Sequence, residues 1–128
     1  MKTALIGLGA MGAPMARNIA KRGLLRAVYN RTEATAIALA EELGVQRAEW
    51  PSLLAEEADV ILLCVSADRD VLDMIDALLP GLAPGKIVVD LSTVSSETAR
   101  EAARRVRAKG ADFLDAPVTG GVEGAKNG

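Results

Sequence analysis

Histidine is absent from the 128 residues. That removes Ser/His and Cys/His nucleophile pairs, the usual imidazole acid and base, and most zinc sites. Proton chemistry is left to Asp, Glu, Lys, Tyr, a hydroxyl or a cofactor. Cysteine occurs once, at Cys64, so neither a disulfide framework nor a cysteine zinc site is open to the chain. The aromatics are Tyr29, Trp50 and Phe113 alone, and the net charge is −2. A base-stacking platform or a basic nucleic-acid face is excluded on those grounds. The longest apolar run, Val60 to Val65, is far too short to cross a membrane. Met1-Lys2-Thr3 runs straight into Ala4-Leu5-Ile6-Gly7 without the shape of a signal or transit peptide, and the expected location is cytoplasmic. Asp68, Asp70 and Asp73 have helical spacing with Arg69 among them, so they read as a helix start and not as metal ligands.

What is present is the balance of a folded chain, with 50% hydrophobic and 25% charged residues in a length that fits one domain over residues 1–128. Two periods alternate along it. Short apolar strands are expected at Thr3–Ile6, Leu24–Tyr29, Val45–Ala48, Val60–Val65, Ile87–Asp90 and Asp112–Leu114. Helical spacing falls between them, at Met11–Arg22, Glu33–Leu43, Ser52–Glu57, Asp68–Leu79 and Ser96–Lys109. Gly23, Gly44 and Gly110 stand just past three of these helices, where a left-handed residue ends a helix. Strands that are apolar throughout, alternating with helices, imply a parallel sheet covered on both faces. The expected fold is α/β, a Rossmann-type doubly wound sheet of strand order 3-2-1-4-5-6, with Val60–Val65 central.

Gly7-Leu8-Gly9-Ala10-Met11-Gly12 matches G-x-G-x-x-G where it carries meaning, after a strand and at the start of a helix. Gly7 suits the tight turn, Gly9 the close approach of backbone to a pyrophosphate, and Gly12 close helix–strand packing. The first helical N–H groups and the helix dipole then favour phosphate. A glycine-rich turn without a ligand is the plainer alternative, and the strand–turn–helix context weighs against it. The second strand ends in Tyr29-Asn30-Arg31-Thr32, without the acid that would hold the ribose 2′-hydroxyl of NAD. Arg31 would attract a 2′-phosphate, and Asn30 and Thr32 can donate hydrogen bonds, so NADP is expected, with NAD possible. The competing view makes Arg31 a solvated side chain beside Thr32 as a helix cap.

These residues resemble the β-hydroxyacid dehydrogenase family, which includes 3-hydroxyisobutyrate dehydrogenases, tartronate-semialdehyde reductases and glyoxylate/succinic-semialdehyde reductases. The resemblance covers the chain, as a 6-phosphogluconate dehydrogenase-like cofactor domain. It is carried by Ile6 to Ala16, by Asn30-Arg31-Thr32, by Asp90-Leu91-Ser92-Thr93-Val94-Ser95 and by Asp115 to Ala125. It implies cofactor contacts from Gly7, Leu8, Gly9, Ala10, Met11, Gly12, Asn30, Arg31 and Thr32. Val65 and Ser66 would add backbone contacts, because the family's usual Leu-Pro is replaced there. Thr93 would lie near the nicotinamide. Thr119, Gly120 and Gly121 would hold a small carboxylic-acid substrate, with Thr119 in place of the family's serine. Read from the residues alone, a hydroxyl beside consecutive N–H groups suits a carboxylate, and Gly-Gly equally suits a plain turn.

The resemblance also implies a catalytic lysine on a helix of a second, all-helical domain, beyond Gly128. Lys126 does not match that lysine, so no catalytic residue is assigned within the chain, which is expected to be the cofactor half of such an enzyme and inactive alone. Hydride transfer between NADP(H) and a small β-hydroxyacid or its semialdehyde is the expected chemistry of the whole, with a homo-oligomer possible. A non-catalytic dinucleotide-binding module is one alternative. An imine-reductase-like enzyme is another, against which Asp115 to Gly121 argues. Cys64, inside an apolar run, reads as core. Arg100, Arg104, Arg105 and Arg107 read as a solvated helix end.

Overall fold

The computed structural model describes residues 1–128. Six parallel strands form one sheet: β1 (Thr3–Ile6), β2 (Leu25–Tyr29), β3 (Gln46–Arg47), β4 (Val60–Leu63), β5 (Ile87–Asp90) and β6 (Asp112–Asp115). Their order is β3-β2-β1-β4-β5-β6, as the alternation of periods predicts. Six helices connect and cover them: α1 (Gly12–Lys21), α2 (Glu33–Leu43), α3 (Pro51–Glu57), α4 (Asp68–Leu78), α5 (Ser96–Arg107) and α6 (Gly121–Asn127). A single 3-10 turn, Leu79–Gly81, follows α4 where Pro80 ends it.

Side chains alternate across the sheet, so the central strands β1, β2 and β4 feed two cores. Ala4 and Ile6 of β1 join Ile61, Leu63 and Val88 under α3, α4 and α5. Leu5 joins Val28 beneath Ala16 of α1 and Ala36, Leu39 and Ala40 of α2. Alanine on the buried faces of α1, α2 and α5 lets those helices lie close to the strands without large aromatics. Gly44 ends α2 in the left-handed region at φ 66, as a C-terminal glycine should. Ser95 caps α5 by accepting from the Thr98 amide.

Three elements differ from expectation. β4 stops at Leu63 although the apolar run continues to Val65. The Cys64 amide still donates to the Ile6 carbonyl, but the Val65 amide turns to the Ser92 hydroxyl, so the run's last residues enter a loop. β3 shrinks to two residues at the sheet's edge, paired only with Ala27 and Val28. Gly121–Asn127 is a short helix where Gly120-Gly121 suited a plain turn and no helix was expected. Gly120, at φ 99, turns the chain into it, and Asn18 of α1 donates to the Ala125 carbonyl near its end.

Because β1 is flanked by β2 and β4, the chain reverses direction across the sheet between β1 and β4. A crevice opens beyond the carboxyl ends of the strands at that point, which is where open α/β sheets bind ligands.

Candidate cofactor site

The three glycines of the first loop are needed for different reasons. Gly7 has φ +97, and a Cβ on it would lie 2.0 Å from the Cys64 carbonyl oxygen. There the turn after β1 lies against the backbone just past β4. A Cβ on Gly12 would lie 1.7 Å from the Gly7 carbonyl oxygen, so Gly12 sets the approach of α1 to β1. Gly9 is unlike either. It is exposed, its φ is ordinary, and a Cβ there would meet nothing within 4 Å. The fold does not require glycine at that position, so the open space above it fits a ligand pressed against the backbone. The amides of Gly9, Ala10, Met11 and Gly12 donate to no protein acceptor. The loop thus fits a pyrophosphate by its shape and by its free donors.

The tip of β2 supports this loop. Asn30 Oδ1 accepts from the Leu8 amide at 2.9 Å, and Asn30 Nδ2 donates to the Thr32 carbonyl at 3.2 Å. Asn30 therefore fixes the glycine loop to the loop after β2, a role not visible in its sequence position. Thr32 is the N-cap residue of α2 by position, but its side chain makes no capping bond. Arg31 is exposed, and no acid stands at the β2 tip, as the sequence shows. An acid nonetheless reaches it. Arg31 Nη2 lies 3.3 Å from Oδ1 of Asp70, which α4 brings from 39 residues away.

The third wall is the loop after β4. Val65 and Ser66 line one cleft of about 200 Å³ with Gly7, Gly9, Asn30 and Arg31. Cys64 also lines it and is only half-buried, a correction to its reading as plain core. Burial, with the neighbouring Asp90 charge, pushes its thiol up, away from the reactive thiolate. Behind the wall, Ser92 Oγ accepts from the Val65 amide at 3.0 Å, and Asp90 Oδ1 accepts from the Ser92 amide at 3.0 Å. Asp90 is fully buried, and its Oδ2 has no partner. Burial pushes its carboxyl above the usual range, against the pull of the Ser92 bonds. Ser92 is thus a supporting residue that the sequence reading passed over. Only the hydrogen-bond geometry identifies it.

The segment of Thr119, Gly120 and Gly121 stands apart from this cleft. Thr119 and Gly121 border a mostly apolar cavity of about 310 Å³ between α1 and α6, with Met11, Met15 and Asn18. Met11 joins the glycine loop to that second cavity. Thr93 is exposed and borders neither space.

Residues 2–128 match the family model described as the NAD binding domain of 6-phosphogluconate dehydrogenase. The chain belongs to that family. As an NAD-binding domain of this kind it is 38% identical over 128 residues to the 3-hydroxyisobutyrate dehydrogenase of Pseudomonas aeruginosa, covering 98% of this chain and 43% of that protein. Among solved structures it is similar to the 3-hydroxyisobutyrate dehydrogenase of Mycobacterium tuberculosis with L-serine, at a TM-score of 0.91 and 33% identity, covering 98% of this chain and 43% of that one. It is also similar to Psf3 in complex with NADP+ and 2-OPP, at a TM-score of 0.89 and 36% identity, covering 98% and 45% of the two chains. The NAD-binding domain thus spans less than half the length of the relatives it matches.

Of the residues expected to touch the cofactor, Gly7, Gly9, Asn30, Arg31, Val65 and Ser66 share one cleft, and Leu8, Ala10, Met11, Gly12, Thr32 and Thr93 do not line it. No helix is long and apolar enough to cross a membrane.

Proposed function

We propose that this domain is the cofactor half of an NADP(H)-dependent oxidoreductase acting on a small β-hydroxyacid or its semialdehyde. The observation that carries the reading is Arg31, a guanidinium at the lip of the glycine-loop cleft, where the β2 tip offers no acid for a ribose 2′-hydroxyl. Two cofactor-bearing features of the chain agree with it. The amides of Gly9 to Gly12 are free to hold the pyrophosphate, and Val65 and Ser66 close the opposite side.

A bound nicotinamide dinucleotide would accept a hydride from the hydroxyacid or supply one to the semialdehyde, and the protein would orient the reacting carbon against it. Thr119, Gly120 and Gly121 are the proposed hold on the substrate's carboxylate, through one hydroxyl and consecutive N–H groups. The cavity that Thr119 and Gly121 border is also lined by Met11 of the glycine loop, which supports a substrate site next to the cofactor. The same substrate class is supported by the two relatives named as 3-hydroxyisobutyrate dehydrogenases.

Titration calorimetry with both cofactors tests the NADP reading. A guanidinium on a phosphate makes charge-assisted hydrogen bonds worth ~1.5–3 kcal/mol, or about 10- to 150-fold in affinity. Arg31→Ala is expected to weaken NADPH binding by about tenfold or more and to leave NADH nearly unchanged. Equal affinities of the unmutated chain for NADPH and NADH would overturn the reading.

A further inference from the structure

Asp70 sits in the first turn of α4 and faces the cofactor cleft, which it lines together with Arg31. The two side chains meet across the mouth at 3.3 Å. An acid in a first helical turn suits the helix dipole. That accounts for the residue type but not for its reach across a cleft. Its neighbours are engaged elsewhere, Asp68 with Ser95 and Thr98, and Arg69 with Asp73 at 3.9 Å. Arg31 is 66% exposed and Asp70 28%, and one long bond joins them. A pair of this kind adds little to stability. Its consequence lies in what occupies the guanidinium.

We propose that Asp70 is a specificity-determining residue, the resident counter-ion that a 2′-phosphate must displace from Arg31. The inference rests on the reading of Arg31 as the partner of that phosphate. NADPH exchanges one anion for another at the same guanidinium, and loses part of the phosphate's gain in doing so. NADH brings no such phosphate and leaves the ion pair intact. Asp70 therefore narrows the preference between the two cofactors, while holding Arg31 at the lip before either binds.

The test is calorimetric titration of NADPH and NADH against the full chain, Asp70→Asn, Arg31→Ala and the double variant, at low and high salt. Asp70→Asn is near-isosteric and partly exposed; Asp70→Ala serves as its second form. Freeing the guanidinium from an exposed partner is expected to tighten NADPH by ~2- to 5-fold, with NADH unchanged. The gain is expected to shrink at high salt and to vanish in the Arg31→Ala background. A gain that persists without Arg31 would show direct repulsion of the phosphate and overturn the exchange. A clear NADPH preference in the unmutated chain that neither Asp70 variant increases would overturn the inference and leave the NADP reading standing. Equal affinities in the unmutated chain, with a preference appearing only in the Asp70 variants, would overturn that reading and support the inference. Equal affinities in every protein would overturn both.

Discussion

At the scale of single residues, the loop's glycines separate what the fold needs from what a ligand needs. Gly7 combines a left-handed backbone with a carbonyl where its Cβ would be. Gly7→Ala is expected to destabilise the chain by at least ~3 kcal/mol, from the backbone strain and the overlap together. Gly9 has neither constraint. Gly9→Ala should leave the melting temperature within about 2 °C of the unmutated chain, the usual reach of a surface change, while cofactor binding falls at least about tenfold as the methyl enters the phosphate's space. Thermal unfolding and cofactor titration of both variants read this contrast. The motif and the separate tasks of Gly7 and Gly9 were legible in the sequence, because the spacing falls between a strand and a helix, but that the Cys64 carbonyl is what bars a Cβ at Gly7 was not. Asn30 shows the same limit. Its place beside Arg31 was plain, yet its bond to the Leu8 amide depends on how two loops meet in space.

At the scale of elements, the ends decide more than the middles. The apolar run from Val60 to Val65 named a strand correctly, but its last residues leave the sheet because Ser92 supplies a hydroxyl to the Val65 amide. α6 escaped notice because its glycines signal a turn, and its hold on α1 comes through Asn18, more than a hundred residues earlier. α4 and α5 are joined by a clasp that sequence spacing could not reveal. The Asp68 carboxylate accepts from the Ser95 amide, from Ser95 Oγ and from Thr98 Oγ1. The bonds from Thr98 and Ser95 hold its carboxyl below the usual range. A carboxyl lowered in the folded state contributes stability that is full above its unfolded pKa and lost as pH falls through its folded one. Asp68→Asn should therefore lower the melting temperature at neutral pH, and its deficit against the unmutated chain should close in acid. Paired thermal scans from neutral to strongly acidic pH measure that difference, and a deficit independent of pH would contradict it.

At the scale of the whole molecule, the strand order followed from few facts. Apolar strands alternating with helices require a covered parallel sheet, and a glycine loop on the first strand puts that strand inside it. The observed β3-β2-β1-β4-β5-β6 order bears this out, with β4 central. The candidate site was legible where it is made of backbone and of one charge, and illegible where it depends on residues meeting across the cleft, as Asp70 does. The same molecule sets a limit on chemistry. There is no histidine, and no lysine lines the cofactor cleft or the cavity beside it. A positioned general acid or base is commonly worth ~100- to 10,000-fold. NADP-linked oxidation of 3-hydroxyisobutyrate, which needs a base for the hydroxyl proton, should accordingly fall far below ordinary enzyme rates in this chain alone, and turnover at such rates would show that a proton acceptor had been missed.

On the proposed reading, the free amides of the glycine loop hold the pyrophosphate and the Arg31 guanidinium holds the 2′-phosphate of one cofactor. Nuclear magnetic resonance of the isotope-labelled chain during titration with NADPH tests it most directly. The largest amide shifts are expected on Gly9, Ala10, Met11 and Gly12, with the Arg31 side chain shifting for NADPH and not for NADH. Binding whose largest shifts lie away from the glycine loop, or an Arg31 signal indifferent to the 2′-phosphate, would contradict it.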